Sequence, residues 1–262
     1  MGAGMTTGNT VAMTVSKAKQ APAATEADCE RLQERNNEQR DAAIEGMKSE
    51  RERPSLTDNQ KEELDKMITK AEEGGMTFSS AAISVGIGGG KRIKGVATGS
   101  SSAKAQECTS GDLVKGGSGD VKLGNEGILC GDPKYRHAPP TQGNCPGGHA
   151  EAKIFNQMNE MAGGAPLSGG RVLLNIDWRY ARPSTPGEVY RSGMPCRHCF
   201  RMLCHVATQC KVEVLICDKS GKPTPLDDDV CKKEDGYDQF DQKVDHWETV
   251  EERRVGWGAL TD

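Results

Sequence analysis

One histidine and two cysteines in the second half of the chain have the types and spacing of a metal site. His149 is followed two residues later by Glu151, and Cys196 and Cys199 stand in a Pro-Cys-x-x-Cys segment. An imidazole and two thiolates suit Zn²⁺, and three protein ligands leave the fourth tetrahedral position open, as in catalytic zinc sites. We therefore predict one zinc ion per chain, bound by His149, Cys196 and Cys199. Glu151 would be the catalytic residue that moves protons beside the metal.

A second interpretation of the cysteine pair stays open at this point. Cys-x-x-Cys segments also form structural zinc knuckles, and His198 or His205 together with Cys204 would complete such a site. The protein would then be a zinc-stabilised binding module without catalysis. That interpretation leaves the His149–Glu151 pair unexplained, and a metal with four protein ligands would identify it.

Two helices are expected to carry the metal ligands. Apolar residues at helical spacing follow Gly147-Gly148 and line one face: Ala150, Ile154, Met158 and Met161. His149 and Glu151 fall in the first turn of this helix. A later helix opens at Cys196, after Pro195, and its positive N-terminal end would stabilise the two thiolates.

Short apolar segments predict the strands between and around these helices. The patterns indicate buried strands over 171–178 and 212–217 and a short final strand over 223–226. Upstream, 78–87 and 92–100 are predicted to form a hairpin about Gly88-Gly89-Gly90. Before the hairpin, Thr57 and Gln60 have the spacing of a helix capping box.

The two motifs, in this order and with these elements between them, resemble the cytidine deaminase superfamily of zinc-dependent nucleobase deaminases. The resemblance covers roughly Ser55–Leu226. It implies an α/β fold of three layers, in which a mixed five-stranded sheet is flanked by helices and both zinc helices lie on one face. The chain would then comprise a polar, helical N-terminal extension (1–54), the deaminase domain (55–226) and an acidic C-terminal tail with a possible helix (227–262).

The resemblance also implies an activity, the hydrolytic conversion of cytosine to uracil, with Glu151 as proton shuttle. In this family the backbone N–H at the position of Ala150 holds a ring carbonyl, and the backbone at Pro195 faces the amino group. Trp178, Arg179 and Tyr180 are expected just past a strand, where they would stack on and clamp a base, although rim packing explains Trp178 equally well. One departure is that no equivalent of the substrate loop of the free-nucleoside enzymes is found.

Charge is unevenly distributed along the chain and bears on the substrate. Residues 130–211 contain ten Lys and Arg against five Asp and Glu, whereas residues 212–262 contain seven against fourteen. A basic segment around the metal ligands suits an anionic substrate such as DNA or RNA, and Arg182, Arg191, Arg197 and Arg201 are candidates to meet its phosphates. Ordinary solvated charge is an equally acceptable explanation.

Features outside the motifs resemble the deaminase domains of bacterial polymorphic toxins. These are the long Gly- and Ser-rich segment 101–148 and the small-residue N-terminal arm. A toxin of this kind would act on a polynucleotide and would have an immunity protein as a partner. The alternative within the same chemistry is a metabolic deaminase of a free base, nucleoside or nucleotide.

Cysteine use and hydropathy give an expectation for location. Of the ten cysteines, the eight that are not predicted ligands are expected to be free or buried thiols in a reducing cytosol. No segment has the apolar length of a membrane span or the pattern of a signal peptide. The protein is therefore expected to act in the cytoplasm, including that of a target cell after specialised secretion. Residues 1–50 have no clear core pattern and are predicted to be dispensable for catalysis.

Overall fold

The computed structural model describes residues 12–16, 23–73, 75–101, 149–163, 165–181, 189–233 and 235–243. Its helices are α1 (Glu26–Arg51), α2 (Asp58–Glu73), α3 (Ala150–Ala162), α4 (Arg197–Gln209), α5 (Asp228–Lys232) and α6 (Gly236–Lys243). Its strands are β1 (Ala12–Ser16), β2 (Thr77–Ile87), β3 (Lys91–Ser100), β4 (Leu167–Ala181), β5 (Val189–Ser192), β6 (Glu213–Cys217) and β7 (Pro223–Pro225).

The strands of the described residues form one mixed sheet of seven strands. Its order is β1-β3-β2-β4-β6-β7, with β5 paired to β4. Only β4 and β6 run parallel among these pairs, and α4 lies between them in the chain. The predicted α/β class is confirmed, but the predicted number of five strands is wrong. The two missed strands are β1 and β5, which have only five and four residues.

Alternate residues of the central strand β4 face two different helical layers. Val172 and Leu174 share a core cluster with Phe155 of α3 and Leu203 of α4. Leu173 instead belongs to a cluster with Leu32 of α1. Because side chains of a strand alternate between the faces of a sheet, α3 and α4 lie on one face and α1 on the other. The fold therefore has three layers.

The hairpin and the capping box were both predicted from local sequence and are confirmed. Strands β2 and β3 pair in antiparallel register around a short 3-10 turn at Gly88–Gly90. Gly89 and Gly90 have φ values of 74° and 71°, a region that favours glycine. The Thr57 backbone N–H donates to Gln60 Oε1 at 2.9 Å, and the Gln60 N–H donates to Thr57 Oγ1 at 3.3 Å.

Helix α1 is a layer of the fold, and the expectation that residues 1–50 lack core contacts is wrong for it. Asn36 Nδ2 donates to the backbone oxygen and to Oδ1 of Asn175 in β4, at 3.0 and 2.9 Å. Arg40 is fully buried and lies 3.4 Å from the buried carboxylate of Asp177, also in β4. The inner face of α1 therefore combines apolar residues with two buried polar ones, Asn36 and Arg40, and both of these contact partners on β4.

Five of the eight cysteines that the sequence analysis expected to be free or buried thiols are disulfide-bonded, and the other three lie outside the described residues. Cys29 of α1 is bonded to Cys217 of β6, and Cys204 of α4 is bonded to Cys231 of α5. Cys210 is disulfide-bonded as well. Disulfides persist in oxidising compartments and are rare in the cytosol. The expectation of free thiols is therefore wrong for these five cysteines.

The segment after β7 contributes to the main core. Tyr237 and Phe240 of α6 are buried and pack against Phe200 of α4. The predicted helix in the acidic tail is thus present as α6, whereas residues 244–262 and most of the 101–148 segment lie outside the described residues.

Within the described part of the chain, no helix has both the length and the apolar composition needed to cross a membrane.

Candidate metal centre

The N-terminal ends of α3 and α4 bring the three predicted metal ligands together. His149 immediately precedes α3, Cys196 is the N-cap of α4, and Cys199 lies in the first turn of α4. His149 Nδ1 is 3.1 Å from Cys196 Sγ and 3.3 Å from Cys199 Sγ. Among the described residues, this is the one group of three or more His, Cys, Asp or Glu side chains close enough to hold a metal ion.

A glycine in β3 allows the first turn of α3 to reach this position. A Cβ atom at Gly99 would lie 2.3 Å from the backbone oxygen of Ala150. That distance is far below a van der Waals contact, so β3 passes against the first turn of α3 only because residue 99 has no side chain. The close approach places His149 and Glu151 over the sheet, opposite the first turn of α4.

The donor atoms fit a zinc ion in type and spacing. Typical Zn–S and Zn–N bonds put the donors of a tetrahedral site about 3.6 Å apart, close to the separations seen here. Cys196 and Cys199 are the only free cysteines among the described residues, whereas five others are disulfide-bonded. Two buried thiols kept reduced beside an imidazole are a donor set that Zn²⁺ prefers, so the group could hold this ion.

The charges within the group also favour metal binding. Burial opposes ionisation of Cys196, but hydrogen bonding with Cys199 and the charge of His149 lower its pKa well below the ordinary value. Burial of His149 would lower its pKa, and the negative charge at Cys196 outweighs this and raises it. One thiolate is thus already stabilised by the protein, and a metal cation would stabilise the second.

Glu151 lies beside the ligand group and is sealed from solvent. Its side chain is 3% exposed and forms a hydrogen bond with Cys199. Burial raises the pKa of Glu151 to about 7, and the negative charge at Cys196 acts in the same direction. A carboxyl group that titrates near neutral pH can both accept and donate a proton at that pH, as a general acid–base catalyst must.

Tyr237 of α6 contacts the metal-binding segment and was missed by sequence reasoning. Its hydroxyl donates to the backbone oxygen of Pro195 at 3.0 Å, and its ring lies under the Arg197 guanidinium at 4.6 Å. Arg197 also pairs with Asp238 at 3.1 Å. The only signal in the sequence is an aromatic pair at i, i+3, Tyr237 and Phe240, within an acidic stretch.

The predicted substrate-binding residues do not all lie near the metal group. Ala150 directly follows the predicted ligand His149, and Pro195 directly precedes the predicted ligand Cys196. Both residues are buried. Trp178 is buried within β4, and strand alternation puts it on the face of α3 and α4. Arg179 faces the α1 layer instead, where it contacts Asp177 at 3.0 Å and Asn37 at 3.2 Å, so it is not positioned to clamp a base. The side chain of Tyr180 lies outside the described residues.

The structure narrows the alternative of a structural zinc knuckle. Cys204 is disulfide-bonded to Cys231 and is therefore not available as a metal ligand. The version of that site built on Cys204 is wrong.

Of the predicted phosphate-binding arginines, Arg191 lies 3.2 Å from Asp177, and Arg197 and Arg201 lie on α4. Arg182 lies outside the described residues.

No protein-family model, curated protein or solved structure matches the chain. The resemblance to nucleobase deaminases therefore stays a prediction from the motifs. Functional conclusions rest on the residues of the metal centre and their geometry.

Proposed function

We propose that the protein is a zinc-dependent deaminase that converts cytosine to uracil in DNA or RNA. The observation that supports this most strongly is the combination of a three-ligand group with a buried carboxyl group beside it. His149, Cys196 and Cys199 would hold the ion, and no fourth protein ligand approaches them among the described residues. An open position beside an acid–base group is the arrangement of a catalytic rather than a structural site.

The reaction replaces the amino group of cytosine with a carbonyl oxygen. A bound Zn²⁺ would lower the pKa of a water molecule and so provide a nucleophile near neutral pH. Glu151 would accept a proton from the attacking water as its oxygen adds to C4 of the ring, and would pass that proton to N3. Glu151 would then carry the proton of the new C4 hydroxyl to the amino nitrogen, so that the C4–N bond breaks, the carbonyl forms and ammonia leaves. Water and cytosine thus give uracil and ammonia.

Neighbouring groups orient the ring in this proposal. The first turn of α3 offers the backbone N–H of Ala150 to a ring carbonyl, because the first N–H groups of a helix have no partner within the helix. The Pro195 carbonyl, held by Tyr237, keeps a second lone pair for the amino group. Trp178 lies on the same face of the sheet and would be available to line the site.

The disulfides favour a protein that folds outside a reducing cytosol. This agrees with the proposal of an exported toxin more readily than with a metabolic enzyme of the cytoplasm.

The test is to offer the purified protein single-stranded DNA, double-stranded DNA, RNA and free cytidine side by side and to measure conversion of cytosine to uracil. We expect conversion in a polynucleotide. Conversion of free cytidine alone would identify a metabolic deaminase. A zinc-loaded protein that converts none of these substrates would contradict the proposal.

A further inference from the structure

A basic groove runs along α4, the helix that carries Cys199. It has a volume of about 570 Å³ and lies between α4 and the α5–α6 segment. Five of the residues that line it have basic side chains: Arg197, Arg201, His205, Lys232 and Lys233. No Asp or Glu is found among its lining residues in the described part of the chain. Its lining is therefore basic, although residues 212–262 as a whole are acidic.

The groove differs in this respect from another large cavity among the described residues. That cavity has a volume of about 540 Å³ and lies on the α1 side of the sheet. Its lining combines Arg191 and Lys219 with the acidic residues Glu30, Glu34 and Asp218. Opposite charges within one cavity cancel much of its field, so the groove on α4, with no acidic lining residue, is the better suited of these two to an extended anion.

One end of the groove lies next to the segment that carries Cys196. Arg197 directly follows the predicted ligand Cys196. At the same end of the groove, the Tyr237 hydroxyl donates a hydrogen bond to the backbone oxygen of Pro195. From Arg197 to Gln209 the groove follows α4 for about 18 Å, at 1.5 Å per residue. A polymer whose reacting unit lies at the metal would therefore pass naturally into the groove with its neighbouring units.

The side chains available in the groove suit phosphates better than bases. Arg201 and Lys233 are exposed and have no acidic partner among the described residues, whereas Arg197 and Lys232 each pair with one aspartate. Phe200 and Tyr237 pack edge to face at 5.2 Å and are buried, so their rings form the floor and offer no free face for stacking. Contacts here would be electrostatic and independent of base sequence.

We propose that this groove binds the phosphodiester backbone of a single-stranded polynucleotide next to the nucleotide that reacts at the metal. The inference rests on the proposed function for the position of the reacting base. The binding itself is measurable without catalysis.

The experiment measures binding of a short fluorescein-labelled single-stranded oligonucleotide, as DNA and as RNA, by fluorescence anisotropy at several salt concentrations. The test variants are Arg201→Glu, Lys233→Glu and the double variant. Lys66→Glu serves as the matched control, because Lys66 is an exposed lysine on α2, away from the groove. Zinc content and the unfolding midpoint of each variant are measured to show that the fold is retained.

We expect the double variant to bind roughly tenfold more weakly or worse, and Lys66→Glu to bind like the wild type. The slope of log K against log salt should become shallower by about 0.7 for each lost phosphate contact. Arg201→Lys should restore most of the binding lost in Arg201→Glu, because a positive charge suffices for a phosphate.

Unchanged affinity and salt slope in the double variant would overturn the groove proposal, even if the wild type deaminates the oligonucleotide. Weakened binding in the double variant would support it, even if the wild type converts no substrate and the proposed function fails. Competition by a glutamate-rich peptide as strong as that by unlabelled oligonucleotide of equal charge would assign the groove to an acidic protein and would also overturn the proposal.

Discussion

At the scale of single residues, substitution of Glu151 tests whether the protein is an enzyme or a zinc-stabilised protein without catalysis. It does not belong to the three-ligand group, so Glu151→Ala should keep one zinc per chain and a wild-type unfolding midpoint. Loss of a general acid–base group lowers the rate by about 10²–10⁴-fold, and one carboxyl group with several proton transfers should fall near the upper end. Deamination assays and metal analysis check this together. Glu151→Gln is the matched control for volume and should be equally inactive, and a Glu151→Ala protein with wild-type turnover would exclude the proposed role.

Zinc binding is expected to depend on the two free cysteines, Cys196 and Cys199. We expect Cys199→Ala to lose bound zinc and stability, because metal binding and folding are coupled. The matched control is the double variant Cys204→Ala/Cys231→Ala, which removes a disulfide from the same helix and should keep zinc. Elemental analysis of both purified proteins checks the prediction. Full zinc occupancy in Cys199→Ala would place the metal elsewhere.

These residues were predictable because their signal is local. Two short motifs give the donor types, and the glycines and helical spacing around them give the elements that carry the donors. Arg179 was misplaced because β4 extends to Ala181, three residues beyond the predicted end of the strand at Trp178. Within a longer strand its side chain alternates to the α1 face. Tyr237 was missed because its contact with Pro195 joins residues 42 positions apart.

At the scale of elements, the approach of β3 to α3 requires a glycine at position 99. The Cβ of Gly99→Ala would meet the Ala150 backbone oxygen, and neither element can move without shifting His149 or the sheet. We expect a loss of about 1–3 kcal/mol in the free energy of unfolding, as for other overpacked sites, with weaker zinc binding. Urea unfolding and zinc titration measure the two effects.

The matched control is Gly46→Ala in α1. An added Cβ there meets no atom within 4 Å, and alanine is the better helix former. This variant should therefore be about as stable as the wild type or more stable. Equal behaviour of the two variants would show that the close approach at Gly99 does not constrain the metal centre.

The attachment of α1 to the sheet depends on the buried carboxylate of Asp177. Arg40, Arg179 and Arg191 all contact it. We expect Asp177→Asn to lower the free energy of unfolding by about 3–5 kcal/mol, because Arg40 would stay buried without its counter-charge. Glu72→Gln, which breaks the exposed pair with Lys48, should cost less than about 1 kcal/mol. Similar costs for the two variants would contradict a buried role for the cluster.

The carboxylate of Asp177 also makes the stability of the protein depend on pH. Burial alone would raise the pKa of Asp177, but attraction by Arg40 and Arg191 outweighs this and holds it below the ordinary value of 3.8. A depressed pKa in the folded protein means that the stabilisation is complete above about pH 3.8 and is lost as the pH falls through the folded pKa. The difference in stability between wild type and Asp177→Asn should therefore shrink in acid.

Helix α1 shows the limit of hydrophobic periodicity. Its helical character was predictable from composition, but the residues that face β4 include Asn36 and Arg40. Polar residues that are buried, such as Asn36 and Arg40, give the same sequence pattern as polar residues that face solvent. Only their partners in β4, Asn175 and Asp177, show that they are buried. The hairpin and β6, in contrast, were predicted from the apolar residues that they bury, among them Ile83, Ile93 and Ile216.

At the scale of the whole molecule, the disulfide Cys29–Cys217 connects the first helix to a strand 188 residues later. A bond that closes so long a loop removes much entropy from the unfolded chain, up to about 5 kcal/mol, against about 3.5 kcal/mol for the 27-residue separation of Cys204 and Cys231. We therefore expect Cys29→Ser/Cys217→Ser to lower the free energy of unfolding more than Cys204→Ser/Cys231→Ser. Urea unfolding without reductant measures both, and the reverse order would contradict this account.

The disulfide pairing was beyond sequence reasoning. Cysteine positions alone allow many pairings, and no local pattern relates Cys29 to Cys217. The pairing follows from the two-faced sheet, which puts α1 against β6 and leaves the two Cα atoms 5.7 Å apart, within bridging distance.

The same bond has a consequence for proteolysis. Both metal-binding segments lie between Cys29 and Cys217, inside a covalently closed ring of the chain. A protease that cuts one peptide bond within the ring opens it without releasing a fragment. The cleaved molecule would migrate as a single species on a denaturing gel without reductant and as two fragments after reduction, and His149 would remain tethered to Cys196 and Cys199 in the cut protein.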